Sequence, residues 1–337
     1  MDNPPSATLD RLLKRTDGEV RRLGVELEFS GLDIGTISEA VRAELGGSVR
    51  VISDYEQEIG DTEFGTFRIE LDFAYLKQLG RESAPDTLPD DMERLPERIL
   101  AAIAEQVVPF EIVSPPMPMD RIDALEPLSE RLRKEGALGT RHSAVYAFGL
   151  HLNPELPDLG AETVTAYLQA FMCLYPWLER AGEVDWSRRL TTYIQPYSKD
   201  YILKVIDADY RPGTEQLIDD YLEANPDRNR ALDMLPLFAH LDEARVRRAV
   251  DDERIKARPT LHYRLPNCDI DNPQWTISTP WRQWLQVEFL AADRERLDQI
   301  CAGYREYLGS RIAALTSDWS RDCERWLVAP DGAEKDG

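Results

Sequence analysis

At 337 residues the chain exceeds what one hydrophobic core usually serves, so it holds about two domains or one large elaborated one. Its 62 acidic and 40 basic side chains give a formal charge of −22, which repels phosphate backbones and anionic membrane surfaces and sets aside nucleic acid and membrane as partners. A nucleotide triphosphate remains compatible, because magnesium and a few local Arg or Lys side chains override the global field over short distances.

Met1 to Glu19 is polar and Pro-containing, with a short helix-like segment around Leu9 to Lys14. Neither it nor any later stretch reaches the roughly 18 apolar residues of a membrane span, so a soluble, unexported, cytoplasmic protein is expected. Alternation over Arg22 to Ser30 predicts a strand, and Ile34 to Leu45 a helix ended by Gly46-Gly47. Val49 to Asp54 and Phe64 to Phe73 read as the next two strands. Arg81 to Asp91, with Pro85 and Pro89, reads as a loop leading to a helix over Met92 to Gln106. Val107 to Ser114 is strand-like and stopped by Pro115-Pro116; Asp120 to Glu135 has helical periodicity despite Pro127; Ser143 to Asn153 returns to strand character. Thr163 to Arg180 is a long apolar-periodic helix, and mainly helices follow to about Val250, with Tyr201 to Ile206 ambiguous. Thr260 to Leu265 is β-like, Asp293 to Trp326 a long helix or helix pair, and the last ten residues a frayed tail. Strands in the first half that return near residue 260 suggest an α+β fold around a mostly antiparallel sheet flanked by helices. No GxxxxGK[ST] or GxGxxG pattern is present, which removes the two commonest nucleotide folds.

The anomaly lies in the strands. Glu26 with Glu28, and Glu70 with Asp72, stand two apart and so share a strand face, while Val25, Leu27 and Phe29 take the other; Glu111 adds a lone acid between apolar neighbours. For the first pair alone, a solvated polar face explains the pattern equally well. Three such segments together point to a cation site, and hard oxygen donors on neighbouring strands suit magnesium better than a His/Cys set would.

Four histidines occur, at 142, 151, 240 and 262. His151, at a strand end beside Asn153-Pro154, is placed for a ligand or phosphate contact, although a lone histidine is more often structural. His262 and Arg264, two apart, share a face; Arg264 could make a forked contact with a phosphoryl group or carboxylate, or form a surface ion pair. Lys199 and Lys204 are weaker phosphate candidates. Cys173, Cys268, Cys301 and Cys323 lack a CxxC spacing and read as reduced packing residues. Trp177, Trp186, Tyr193 and Tyr197 could line a pocket or pack in the core, and Glu288 is a ligand only if its segment is a strand, where a helix is favoured. No Ser-His-Asp or Cys-His constellation is legible.

The succession GVELEF at 24–29, FEIVSPPMP at 110–118, GLHLNP at 149–154 and HYRLPN at 262–267 resembles the amidoligase family of carboxylate-amine ligases, within the glutamine synthetase and glutamate-cysteine ligase fold group. The resemblance spans roughly residues 21 to 290. It implies a sheet whose concave face binds two or three Mg2+ ions and ATP, the co-substrate that phosphorylates a carboxylate before an amine displaces phosphate. Residues 1–20 would be an N-terminal segment, 21–290 the catalytic domain with a helical insertion at about 155–250, 291–327 a C-terminal helical segment, and 328–337 the tail. By motif, Glu26 and Glu28 match the family's first metal-binding pair, Glu111 the acid before Ser-Pro-Pro, and His151 the histidine of the glycine-histidine strand; Glu70 fits less distinctly. Arg264 is retained as the phosphoryl-neutralising arginine. His262 stands where related synthetases carry a metal glutamate, and Leu152-Asn153 follow His151 where many relatives show a second histidine, so one metal position is altered or lost.

The expected activity is therefore an ATP- and Mg2+-dependent ligase joining a small carboxylate, such as an amino acid or peptide, to an amine. An acid-lined metal site would also serve a hydrolase of amides or phosphoesters, and the His262 departure would suit a catalytically idle binding relative. Some members of the fold group form rings that share active sites, which leaves a homo-oligomer open.

Overall fold

The computed structural model describes residues 6–71, 109–140, 148–184, 194–310 and 317–328. The expected loop over Arg81 to Asp91 and helix over Met92 to Gln106 lie outside these residues, as do Asp72, His142, Trp186, Tyr193 and the tail from 329.

The strands are β1 (Arg22–Phe29), β2 (Ser48–Ser53), β3 (Glu56–Thr62), β4 (Gly65–Leu71), β5 (Phe110–Val113), β6 (Met117–Pro118), β7 (Leu150–Pro154), β8 (Leu232–Asp233) and β9 (His262–Tyr263). They form one open antiparallel sheet in the order β2-β3-β4-β5-β1-β7-β9-β8, with β6 pairing the start of β1. The fold is thus α+β on an antiparallel sheet. β1 is central because its alternation gives it a fully apolar side: Leu23, Val25, Leu27 and Phe29 are buried, as are Phe67, Ile69 and Leu71 of β4 and Phe110 and Ile112 of β5. Helices cover that side. The first is α1 (Ser6–Leu12); α2 (Ile34–Leu45) then lies on β3 and β4, and α3 (Glu126–Glu135) lies on α2. Further along, α4 (Ala161–Ala181) and α5 (Lys199–Val205) precede α6 (Thr214–Ala224), α7 (Leu235–Leu241) and α8 (Glu243–Ala249). α9 (Ser278–Ala291) packs on α4, followed by α10 (Arg294–Gly309) and α11 (Trp319–Asp322). Tyr263 of β9 meets these helices through Trp284 and Phe171, at ring separations of 4.8 and 5.9 Å.

Local chemistry sets several boundaries. Asp33 caps α2 by accepting from the Thr36 amide at 2.9 Å, and Gly46-Gly47 end it. Gly47 has φ of +90°, and a Cβ there would stand 2.2 Å from the Gly60 carbonyl oxygen, so only glycine lets the helix end lie against β3. Ser114 explains the Ser-Pro-Pro element: its hydroxyl accepts from the Val25 amide at 2.8 Å, continuing the β1–β5 pairing where the two prolines cannot.

One strand is unanticipated, one ambiguity is resolved and two expectations are corrected. Glu-Gln-Glu-Ile-Gly-Asp-Thr forms β3, although Ile59 is its only apolar residue; pairing on both edges and burial of Ile59 override weak propensity. Tyr201 to Ile206 falls in helix α5 and the residue after it, with the Ser198 hydroxyl capping the Tyr201 amide. Asp120 to Glu135 divides into a 3-10 turn over Met119–Leu125 and α3, with Pro127 tolerated in the first helical turn. Thr260 to Leu265 contributes only His262–Tyr263 as a strand. All four cysteines are free and buried, as packing residues should be. No helix among the described residues is long and apolar enough to cross a membrane.

Candidate active site on the open sheet face

Register converts the spacing of the acids into a row. Glu56 of β3 faces Glu70 of β4, Glu70 faces Glu111 of β5, and Glu111 faces Glu28 of β1. Adjacent strands lie about 4.8 Å apart, so these are four carboxylates abreast. Burial pushes the Glu70 carboxyl above its ordinary range, with Glu56 and Glu26 adding to the rise and Arg68, 3.8 Å away, opposing it. Like charges in such a row favour proton or cation uptake. A parallel row runs Val113, Glu26 and His151, and a third joins Gly24 to Asn153 and, through β9, His262 to Asp233.

Glu26 anchors the centre. Its Oε2 lies 2.9 Å from His151 Nδ1, its Oε1 accepts from Asn153 Nδ2 at 2.9 Å, and Arg258 Nη1 stands 3.4 Å from Oε1. Burial opposes ionisation of Glu26, but the His151 hydrogen bond and the neighbouring His262, His151 and Arg258 outweigh it and hold the carboxyl well below its usual range. An ionised Glu26 assigns the His151 tautomer. His151 donates from Nδ1, which turns Nε2 toward Glu28 Oε1 at 3.6 Å. Asn153 gives its N–H to Glu26, so its carbonyl faces His262 Nδ1 at 2.7 Å, and Arg258 Nη2 stands 3.2 Å from the same nitrogen. Burial first, then His151, Arg258 and Arg264, push the His262 imidazole well below its ordinary value against the pull of Glu26, keeping it neutral.

Glu28, Glu111 and His151 offer ligand atoms within 4.8 Å of one another. Glu28 Oε2 accepts from the Gly149 amide at 2.7 Å, which leaves Oε1 facing His151 Nε2 at 3.6 Å. A proton or a cation between these two atoms would join them. Two half-buried carboxylates suit a hard divalent ion that keeps part of its water, and the Glu26–His151 contact is the kind of hydrogen bond that orients a ligating imidazole. The donor set therefore fits Mg2+, with one nitrogen that Mn2+ would also accept.

Among the sequence candidates, the structure brings Glu26, Glu28, Glu111, His151 and His262 together, with Glu70 one strand beyond Glu111. Arg264 lies just past β9; its Nη1 donates to the Arg228 carbonyl at 2.8 Å and its amide to the Ala231 carbonyl. Lys204 pairs with Asp220 on α6 at 2.8 Å. Glu288 is helical, as favoured, and fully buried against Arg21. Three participants escaped the sequence reading. Asn153 stands inside the GLHLNP motif and Arg258 four residues ahead of HYRLPN, and neither carries a signature of its own. Asp233 lies in an apolar run, Ala231-Leu232-Asp233-Met234-Leu235, the same signal that singled out Glu111. Burial raises the Asp233 carboxyl to about 6, against the Leu235 amide and the charges of Arg264, Arg228 and Arg258. Its Oδ1 accepts from that amide at 2.9 Å, while Oδ2 is buried with no hydrogen-bond partner among the described residues. Acids thus line the sheet from β3 to β1, and guanidinium groups gather around β8 and β9.

A family model described as an amidoligase enzyme matches residues 19–286. No curated protein and no solved structure matches the chain. The match covers all four motifs and every strand of the sheet, and the chain belongs to the amidoligase family of ligase-type enzymes.

Proposed function

We propose that this ligase is ATP- and Mg2+-dependent and forms an amide between a small carboxylate, such as an amino acid or peptide, and an amine by way of an acyl phosphate. The observation that carries this reading is the juxtaposition of the row Glu70–Glu111–Glu28 with the arginines around Asp233 and His262. Acids that gather divalent cations beside guanidinium groups that gather phosphoryl oxygens match the charge pattern of a metal–nucleotide complex.

Glu28 and Glu111 would hold Mg2+, with His151 oriented toward it by Glu26. When bound, the ion supplies charge neutralisation for the ATP phosphates. Arg264 would receive the transferring γ-phosphoryl group as the substrate carboxylate attacks phosphorus and ADP leaves. The amine nitrogen then attacks the acyl carbon, phosphate departs and the nitrogen gives up a proton. These steps need positioning and neutralisation but no protein nucleophile, consistent with the absence of a legible triad in the sequence.

Calorimetry of ATP binding with and without Mg2+, on the wild type and Glu28→Ala, tests the reading. Magnesium-dependent binding that disappears in Glu28→Ala is expected, followed by phosphate release when the correct carboxylate and amine are paired. Absence of ATP binding with any divalent metal would remove the ligase mechanism and leave a binding relative or a hydrolase.

A further inference from the structure

Glu26, His151 and His262 also offer ligand atoms within 4.8 Å of one another, yet this group is built differently from Glu28, Glu111 and His151. Both oxygens of Glu26 are already engaged, one by His151 and the other by Asn153 and Arg258. His262 Nδ1 is already engaged by the Asn153 side-chain oxygen at 2.7 Å. Between Glu26 and His262 lies the Arg258 guanidinium, with Nη1 3.4 Å from Glu26 Oε1 and Nη2 3.2 Å from His262 Nδ1. An ion bridging Glu26 and His262 would have to occupy the space that the guanidinium fills.

Charge leads to the same conclusion. Glu28 and Glu111 bring two carboxylates, which a divalent cation balances. Glu26, His151 and His262 bring one carboxylate and two imidazoles, and the single negative charge of that group is already balanced by the Arg258 guanidinium. A guanidinium stays protonated throughout the working pH range and does not exchange with solvent cations.

We propose that Arg258 is a built-in cation occupying the position between Glu26 and His262, so that the sheet face takes divalent metal only on its Glu28–Glu111 side. This rests on the reading of that face as a metal and nucleotide site. It gives His262 a role: the ring stands against both the guanidinium and the Asn153 side chain, and Asn153 in turn holds Glu26.

The test counts tightly bound Mn2+ per chain by equilibrium dialysis and elemental analysis, without nucleotide, in the wild type, Arg258→Ala, His262→Ala and the double variant. Arg258→Ala should bind one more ion than the wild type, and adding His262→Ala should abolish the gain. His262→Ala alone should bind as many ions as the wild type. A folded Arg258→Ala that gains no ion, or a His262→Ala that loses one, overturns the proposal. If Arg258→Ala does not fold, the His262→Ala count decides. Glu28→Ala separates this from the functional reading: if it keeps every Mn2+ ion of the wild type, the Glu28–Glu111 metal site fails, whereas the gain in Arg258→Ala is read independently.

Discussion

Glu288→Ala should be among the most destabilising single changes in this protein while leaving the acid row intact. The Glu288 carboxylate is 1 % exposed and meets the fully buried Arg21 through two bonds, Nη1 to Oε2 at 2.7 Å and Nη2 to Oε1 at 2.9 Å. Trp284 Nε1 also donates to it at 2.8 Å, as does the Tyr167 hydroxyl. Removing one partner of a buried ion pair costs about 3–5 kcal/mol, and the orphaned Trp and Tyr donors bring the total to about 5 kcal/mol, less than a simple sum because the groups share one carboxylate. For a 337-residue chain the unfolding entropy near the transition is about 0.7 kcal/mol/K, so Tm should fall by roughly 7 °C. Differential scanning calorimetry measures this directly. Arg21→Met combined with Glu288→Met should recover part of the loss, because apolar replacement removes the stranded charge while the Trp284 and Tyr167 donors and the Leu12 and Glu155 carbonyls lose their partners. Arg21 precedes β1 in step with the core residues Leu23 and Val25, so any nucleotide binding of the wild type should be retained when measured well below Tm. A fall in Tm of less than 2 °C, or a double variant as unstable as the single one, would refute the assignment of the pair as a desolvated structural contact.

Asp233 gives stability a pH signature. Its carboxyl rises from an ordinary 3.8 to about 6 on folding, so its contribution is fully present below about pH 4 and is lost as pH rises through about 6. The full effect is about 3 kcal/mol, and Asp233→Asn should abolish it; urea titrations at pH 4.5 and 7.5 should show the wild type losing stability relative to the variant at the higher pH, and equal differences at both would contradict the shift. Gly47→Ala should destabilise by at least about 1–2 kcal/mol, because it combines a left-handed φ with a clash against the Gly60 carbonyl; a midpoint equal to wild type in denaturant would show that the α2–β3 junction relaxes freely.

The sheet face and its acids were legible because the signal is local. A period of two places Val25, Leu27 and Phe29 on one side and Glu26 and Glu28 on the other whatever the rest of the chain does, and the same parity governs Glu70 and Glu111. Helix α2 was equally legible, from its apolar period and from Gly46-Gly47. β3 was not, because its residues form a strand only between two partners. Lys204 resembled a phosphate ligand by type, and only the fold could show that Asp220 holds it.

What the sequence determined by itself, then, is that strands of one apolar and one acidic side must exist, and its ordered motifs identified the family. Which acids meet was decided by tertiary structure: Glu28 faces Glu111 from 83 residues away through register-dependent pairing, and Arg258 reaches Glu26 from 232 residues away. A side chain's face follows from its own neighbours in sequence, whereas its partner depends on strand register and loop path, which are fixed by burial of the whole core. The pairing of Glu28 with Glu111 across one strand boundary, and of Glu26 with a guanidinium from far along the chain, arises only at that second level.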